Sequence, residues 1–222
     1  MPTSRYERVA RQAGYCAVAG VDEVGRGSLF GPVFAAAVVL DPERPVRGLD
    51  DSKQLEPERR EVLAARIRER ARAWSVGAAD AFEIDRWNIL QASRVAMKRA
   101  VERLPVAADY LLVDAIRVDV PIAQRGLIHG DALCFSIAAA SILAKVERDA
   151  ALTAWDRVFP QYGFASNKGY YTPDHLTALA EHGPTSLHRF SFEPVRAASR
   201  HRQWTGYPLE QGPEQGELFA CP

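Results

Sequence analysis

Two adjacent carboxylates, Asp22 and Glu23, sit in the stretch Gly20 to Leu40, directly before the turn Gly25-Arg26-Gly27. Neighbouring acids repel, so a fold that places them together at a strand end usually supplies a cation. Glycines flanking an arginine let a backbone come very close to another molecule, because no Cβ intervenes. Paired acids beside a bare backbone point to a metal site next to the sugar-phosphate chain of a polyanion. Blander readings compete. An acidic pair taken alone is more often a solvated hairpin turn, and the glycines could be turn punctuation. A dinucleotide cradle fails on physics. Gly25, Gly27 and Gly31 loosely match that fingerprint, but it must run into a helix facing pyrophosphate, and Pro32 leads into a β-like run.

The elements that must position these residues can be read from apolar patterning. The runs Cys16 to Val21 and Val33 to Leu40 are short, apolar and bounded by glycine or proline, as buried strands are. Asp50-Asp51-Ser52-Lys53-Gln54-Leu55 is a polar loop leading into a helix with Pro57 in its first turn and a stripe of Leu63, Ile67, Ala71 and Trp74. Ser75 to Phe82 reads as a strand. A helix from about Ile84 to Leu104 turns Trp87, Leu90, Met97, Val101 and Leu104 inward, and Pro105 ends it. Tyr110 to Ala115 is a buried strand closing on Asp114, where open α/β sheets tend to place ligands; an ordinary turn aspartate is an equally good reading. Gly130-Asp131-Ala132 opens a long helix reaching about Val158, with Asp131 most simply its N-cap. Small residues near that helix's start, Ser136 to Ile142, would let it lie close to the sheet and bring Asp131 towards the other acids. Thr172-Pro173-Asp174 opens a further short helix. Helices between strands favour a layered α/β fold with some parallel pairing.

The 222 residues suit one domain, and 47% hydrophobic with 25% charged residues is the composition of a soluble globular protein. Apolar runs are too short to cross a bilayer, and the N-terminus lacks the apolar core of a signal peptide. Cys16, Cys134 and Cys221 match no disulfide or metal spacing, so a reducing cytoplasm is the expected location. His175, His182, His188 and His201 fit no zinc pattern and read as surface or hydrogen-bonding residues. Net charge is zero, but the tail from Thr205 carries three glutamates and no Lys or Arg, leaving a body of 28 basic against 25 acidic residues. That balance is faintly favourable to nucleic-acid binding.

Five blocks in order, Gly-Val-Asp-Glu-Val-Gly-Arg-Gly, Asp-Ser-Lys-Gln-Leu, Leu-Val-Asp-Ala, Gly-Asp-Ala with Ser-Ile-Ala-Ala-Ala-Ser-Ile-Leu-Ala-Lys-Val, and Lys-Gly-Tyr, resemble bacterial ribonuclease HII, the type 2 ribonuclease H, over roughly Val18 to Val195. The resemblance implies an RNase H-like fold: a central mixed β-sheet flanked by helices, with a small C-terminal helical part. It implies an endonuclease that cuts the RNA strand of RNA–DNA hybrids and single ribonucleotides in duplex DNA. Asp22, Glu23, Asp114 and Asp131 match the family's catalytic, metal-holding acids. Gly25, Arg26 and Gly27 match the turn that senses the ribose 2′-hydroxyl, and Tyr170 the tyrosine that packs on the junction ribose. Lys53, Ser141, Lys145 and Lys168 fall in blocks that line the substrate groove, which implies phosphate contacts. The chain departs from the family at Ser28-Leu29-Phe30 (usually Pro-Leu-Ala), at Ala132 (commonly serine), at Tyr171 (usually glycine) and at Phe190 (commonly arginine). Tyr171 puts the shape of the junction-sensing loop in question.

The implied chemistry is demanding. Phosphodiester hydrolysis asks an enzyme for roughly 20 kcal/mol of barrier reduction. Two divalent ions about 4 Å apart can activate water and stabilise the leaving oxygen. Mg²⁺ or Mn²⁺ suits four acids with no histidine, and two bare carboxylates ~4 Å apart would repel by about 4 kcal/mol at an effective dielectric near 20. Expected boundaries are an N-terminal extension over 1–14, a catalytic domain over 15–204 whose helical part starts near 160, and a flexible acidic tail over 205–222. In that tail Gln215-Gly216-Glu217-Leu218-Phe219 is similar to peptides that dock on the bacterial sliding clamp, although a disordered end with two chance hydrophobics is the better reading from sequence. A monomer is expected. The rivals are ribonuclease HIII, whose extra N-terminal domain has no space before residue 22, and a non-catalytic hybrid-binding protein, which would need a lost acid.

Overall fold

β1 (Val18–Val24) is the central strand of a five-stranded sheet and carries the acidic pair. The structure is a computed structural model and describes residues 2–201. The strand order is β3-β2-β1-β4-β5, with β2 (Val33–Val39), β3 (Ala73–Ala79), β4 (Tyr110–Asp114) and β5 (Ala123–Leu127). β1, β2 and β3 form an antiparallel meander; β4 pairs parallel with β1, and β5 parallel with β4, so the sheet is mixed. The helices are α1 (Arg5–Gln12), α2 (Pro57–Arg70), α3 (Ala81–Glu102), α4 (Gly130–Leu133), α5 (Phe135–Val158), α6 (Phe164–Asn167), α7 (Pro173–His182) and α8 (Glu193–His201).

Side chains alternate along each strand, and the alternation divides the core. Ala19, Val21, Ala35, Ala37, Leu111 and Val113 face α3, while Ala36 and Val38 face α2 and α5. At Gly20 a Cβ would stand 2.0 Å from the backbone carbon of Ser136, so α5 rests directly on β1. The small run Ser136 to Ala140 is what makes that approach sterically open. A third apolar cluster, including Phe30, Leu152, Phe164, Leu179 and Val195, joins the chain after β1 to the C-terminal helices. No helix among the described residues is long and apolar enough to cross a membrane.

Several elements differ from the sequence reading. β1 does not stop at Val21: Asp22 and Glu23 lie within it, opposite Ala36 and Ala35 of β2. Trp74 belongs to β3 rather than to the stripe of α2, which ends at Arg70. Residues 63, 67, 71 and 74 fit a helical period, but the strict alternation of burial from Ala73 to Ala79 shows pairing with β2 winning over it. β3 ends before Phe82 because Asp80 and Glu83 form a reciprocal capping box that starts α3. Trp87 and Leu90, expected inside, are each 38% exposed; they flank Asn88 (φ 69°), where the helix breaks and its periodicity is interrupted. Edge strand β5, Ala-Gln-Arg-Gly-Leu, is mostly exposed and has no apolar alternation to announce it. Asp131 is not an N-cap: His129 (φ 56°) precedes the separate turn α4, and extended Cys134 divides it from α5. The N-terminal extension, residues 1–14, contains the short helix α1 and is tied to the body. Glu7 of α1 is buried, and its Oε1 accepts the Ser136 N–H at 2.7 Å at the start of α5 and the Cys134 thiol at 3.2 Å.

Candidate active site

The site assembles at the C-terminal ends of the parallel strands. The register that pairs Val21 with Val113 sets Asp114, the last residue of β4, alongside Asp22. Asp131 arrives from the α4 turn, which is hitched to Asp114: the Gly130 N–H donates to Asp114 Oδ1 at 2.7 Å. A Cβ at Gly130 would meet Ile137 Cδ1 at 2.6 Å and Asp114 Oδ1 at 3.3 Å, so the turn sits this close only as glycine. Asp22 is 4% exposed, its Oδ1 accepts the Glu23 N–H at 2.8 Å, and it is hydrogen-bonded by the Ser141 hydroxyl. Ser141 Oγ in turn meets Ser52 Oγ at 2.9 Å, tying the loop before α2 to α5.

Charge accumulates here. Burial, then Glu23 and Asp114, push the Asp22 carboxyl well above the usual range, with Asp131 adding to the effect. Burial raises Glu23, with Arg26 at 3.3 Å opposing and Asp114 reinforcing. Burial also raises Asp114, against the Gly130 N–H, while Asp131 adds repulsion. Lys53 lies 3.8 Å from Asp131 Oδ2. Its partial burial works against its charge, yet Asp131, Asp51, Asp22 and Asp114 together hold its pKa above the usual value.

A wall of bare backbone stands beside the acids. Gly25 has φ +90°, and a Cβ there would lie 2.2 Å from Arg148 Nε. Arg148 is itself buried, donates from Nη2 to the Lys168 carbonyl at 2.7 Å and lies 5.0 Å from the centre of the Tyr170 ring. Ser28 and Tyr170 pair as an antiparallel bridge, which puts Tyr170 next to Gly27, 4.0 Å from where a Cβ would be. Buried Arg189 closes the loop from behind, donating from Nη1 to the Arg26 carbonyl at 2.7 Å and from Nε to that of Gly31 at 2.9 Å.

The family model of ribonuclease HII matches residues 19–195. Ribonuclease HII of Solibacter usitatus is 65% identical over 213 residues, covering 96% of this chain and 90% of that one. The chain belongs to the ribonuclease HII family. Ribonuclease H2 from Pyrococcus horikoshii shares the fold with a TM-score of 0.72 at 24% identity, over 84% of this chain and 98% of that one. The RNase HII of Archaeoglobus fulgidus, solved in a complex with PCNA, gives 0.69 at 26% identity, over 82% and 96%. As a ribonuclease HII, the chain is a metal-dependent endoribonuclease.

The donor set fits a hard divalent cation. It is made of carboxylates, three of which resist ionisation, and Glu23 Oε2 is buried without a hydrogen-bond partner. Among the described residues no three His, Cys, Asp or Glu side chains are grouped closely enough to hold a metal ion as they stand. The remaining ribonuclease HII positions are spread more widely. Ser141 is on the floor of the site against Asp22, not on a rim. Lys53, with a side chain 76% exposed, overhangs Asp131. Lys145 is paired with Asp149 at 2.8 Å, and burial lowers its pKa. Lys168 lines a cleft of about 390 Å³ with Arg60, Arg157 and Asp149, and none of the four acids lines that cleft. Tyr171 is 62% exposed and does not crowd the loop, while Phe30 is buried and stacks on Phe164 at 3.8 Å. Sequence reasoning missed Ser52, Arg148 and Arg189. For Arg148 a signal existed: a charged residue on the face of α5 that also carries buried Ala144 and Leu152.

Proposed function

We propose that this chain hydrolyses the RNA strand of RNA–DNA hybrids and cuts duplex DNA on the 5′ side of a single embedded ribonucleotide, leaving a 3′-hydroxyl and a 5′-phosphate. One observation carries the reading: Asp22, Glu23, Asp114 and Asp131 converge from β1, β4 and α4 beside the Gly25 to Gly27 backbone, with Tyr170 at its flank. The four acids would hold two Mg²⁺ or Mn²⁺ ions, which supply water activation and charge neutralisation at the leaving oxygen. The protein does the positioning. Ser141, backed by Ser52, orients Asp22, and the Gly130 N–H orients Asp114. The Gly25-Arg26-Gly27 turn offers backbone donors and acceptors to the ribose 2′-hydroxyl, the group that separates RNA from DNA locally. Tyr170 lays its ring on that sugar, and Lys53, Lys145 and Lys168 contact phosphates.

The test is cleavage of duplex DNA carrying one ribonucleotide. Cutting in Mg²⁺ or Mn²⁺ that EDTA abolishes is expected, with Asp22→Asn binding the duplex but leaving it intact. Normal cutting by Asp22→Asn, or none by the parent chain with either ion, removes the reading. For a protein partner we propose the sliding clamp, docking on Gln215 to Phe219, a segment outside the described residues. The complex of the Archaeoglobus fulgidus relative with PCNA supports it. Calorimetry with purified clamp should show binding that disappears when the chain ends at Gly206; equal binding by the shorter chain rules the segment out.

A further inference from the structure

Two fully buried histidines stand outside the acid cluster and take no part in the chemistry above. His175, near the start of α7, and His188, in the loop before α8, meet with their Nε2 atoms 3.1 Å apart. At one end of the pair the Thr185 backbone N–H donates to His188 Nδ1 at 2.9 Å. At the other, His175 Nδ1 lies 2.9 Å from the Tyr170 carbonyl oxygen. A backbone N–H can only donate and a carbonyl can only accept, so the polarity of the chain is fixed at both ends. His188 accepts at Nδ1, carries its proton on Nε2 and donates it to His175. His175 therefore accepts at Nε2 and keeps its own proton on Nδ1, donated to Tyr170. The rings are neutral and in opposite tautomers. A second proton on either would set two N–H groups against each other. Burial agrees with this, pushing His188 down to about 3 and lowering His175.

The pair reaches both walls of the ribose-facing loop. Through its backbone, His188 bridges Phe30, flanked by the Gly31 N–H donating to the Leu187 carbonyl and the Arg189 N–H to that of Leu29, both at 2.9 Å. Through the two imidazoles it reaches Tyr170. The packing around the rings leaves them little freedom: Phe30 meets His188 edge-on at 5.0 Å, and Phe164 meets His175 at 5.4 Å.

We propose that His175 and His188 are positioning residues for ribose recognition, fixing the Tyr170 peptide and hence the attitude of its ring to the Gly25 to Gly27 turn. This rests on the reading of Tyr170 given above. The test is a double-mutant cycle on a single-ribonucleotide duplex in Mg²⁺, comparing His175→Leu, Tyr170→Ala and the pair. If His175 acts through Tyr170, His175→Leu lowers kcat about tenfold with little change in KM, and adds nothing in the Tyr170→Ala background. His175→Asn, whose amide nitrogen can replace the Nδ1 donor, restores most of the rate. A merely structural role gives losses that add in the double variant and no rescue by asparagine, which overturns the proposal. Tyr170→Ala with normal kinetics overturns instead the underlying reading of Tyr170, and the proposal with it. Imidazole nitrogen NMR of the isotope-labelled parent protein is independent of folding effects in the variants. His175 protonated on Nδ1 and His188 on Nε2 is the expected signature, and His175 protonated on Nε2 sinks the relay.

Discussion

Gly25 shows how much one side chain can decide. Its φ of +90° and the Arg148 guanidinium 2.2 Å from the place of a Cβ both demand glycine. Gly25→Ala is expected to destabilise the fold by about 1–3 kcal/mol, read as a lower urea midpoint, and to cut turnover at a ribonucleotide by at least roughly tenfold, about 1.4 kcal/mol of barrier. A fully active, equally stable variant would show that the turn and Arg148 can separate without consequence. The sequence displayed the glycine but not its partner: the apolar face around Arg148 marks that arginine as buried, yet nothing local shows that α5 carries it to a turn more than a hundred positions away. Asp22 is the opposite case. Its type and neighbours already suggested a cation, and the structure adds the burial and the adjacent acids that push its pKa up.

At the scale of elements, caps and breaks place the acids. The α4–α5 break aims Asp131 inward, and no residue at Gly130 to Cys134 announces it; the left-handed His129 and the Glu7 carboxylate from α1 create it. The capping box of α3 was equally unread, although its Asp80-x-x-Glu83 spacing was visible. Arg99 adds a two-pronged pair to Glu83, at 2.6 and 2.8 Å. Hydrogen bonding from Arg99 is the main reason the Glu83 carboxyl titrates below its usual value of 4.5. A depressed acid stabilises the fold above its unfolded pKa and loses that contribution as pH falls through the folded one. Glu83→Gln is therefore expected to cost about 1–2 kcal/mol at pH 7, with parent and variant converging as the pH drops through the Glu83 titration below 4.5. Unfolding curves across that range check it, and a constant gap down to the lowest pH would contradict the assignment.

For the whole molecule, gathering four acids sets up a mutual repulsion, visible in the raised carboxyl pKa values, that a bound divalent cation would relieve. A divalent ion that binds the folded chain alone stabilises it by RT ln(1 + [L]/Kd), about 2.7 kcal/mol at a hundredfold excess over Kd. Added Mg²⁺ or Mn²⁺ should raise the Tm of the parent, by ~2–4 °C per kcal/mol for a chain of this size. Asp22→Asn, relieved of one buried charge, should melt higher than the parent without metal and respond less to it. Identical metal responses in the two proteins would place the ion elsewhere. The pieces of this arrangement were legible: the strands around Asp22 and before Asp114, the small-residue helix, and the α/β layering. Edge strand β5 was not, because one-sided pairing leaves its side chains in water and imposes no pattern.

What the chain determined unaided is local: which residues can hold a metal, which turn lacks side chains, and which runs are apolar enough to be buried. Those follow from residue type and short spacing, which are present before folding. What the tertiary structure decided is adjacency. The parallel register sets Asp114 against Asp22, a helix on a bare strand brings Ser141 to the same carboxylate, and two buried histidines join Tyr170 to the loop it faces. Each of these depends on strand pairing or packing between distant segments, and such contacts acquire an energy only once the sheet has formed.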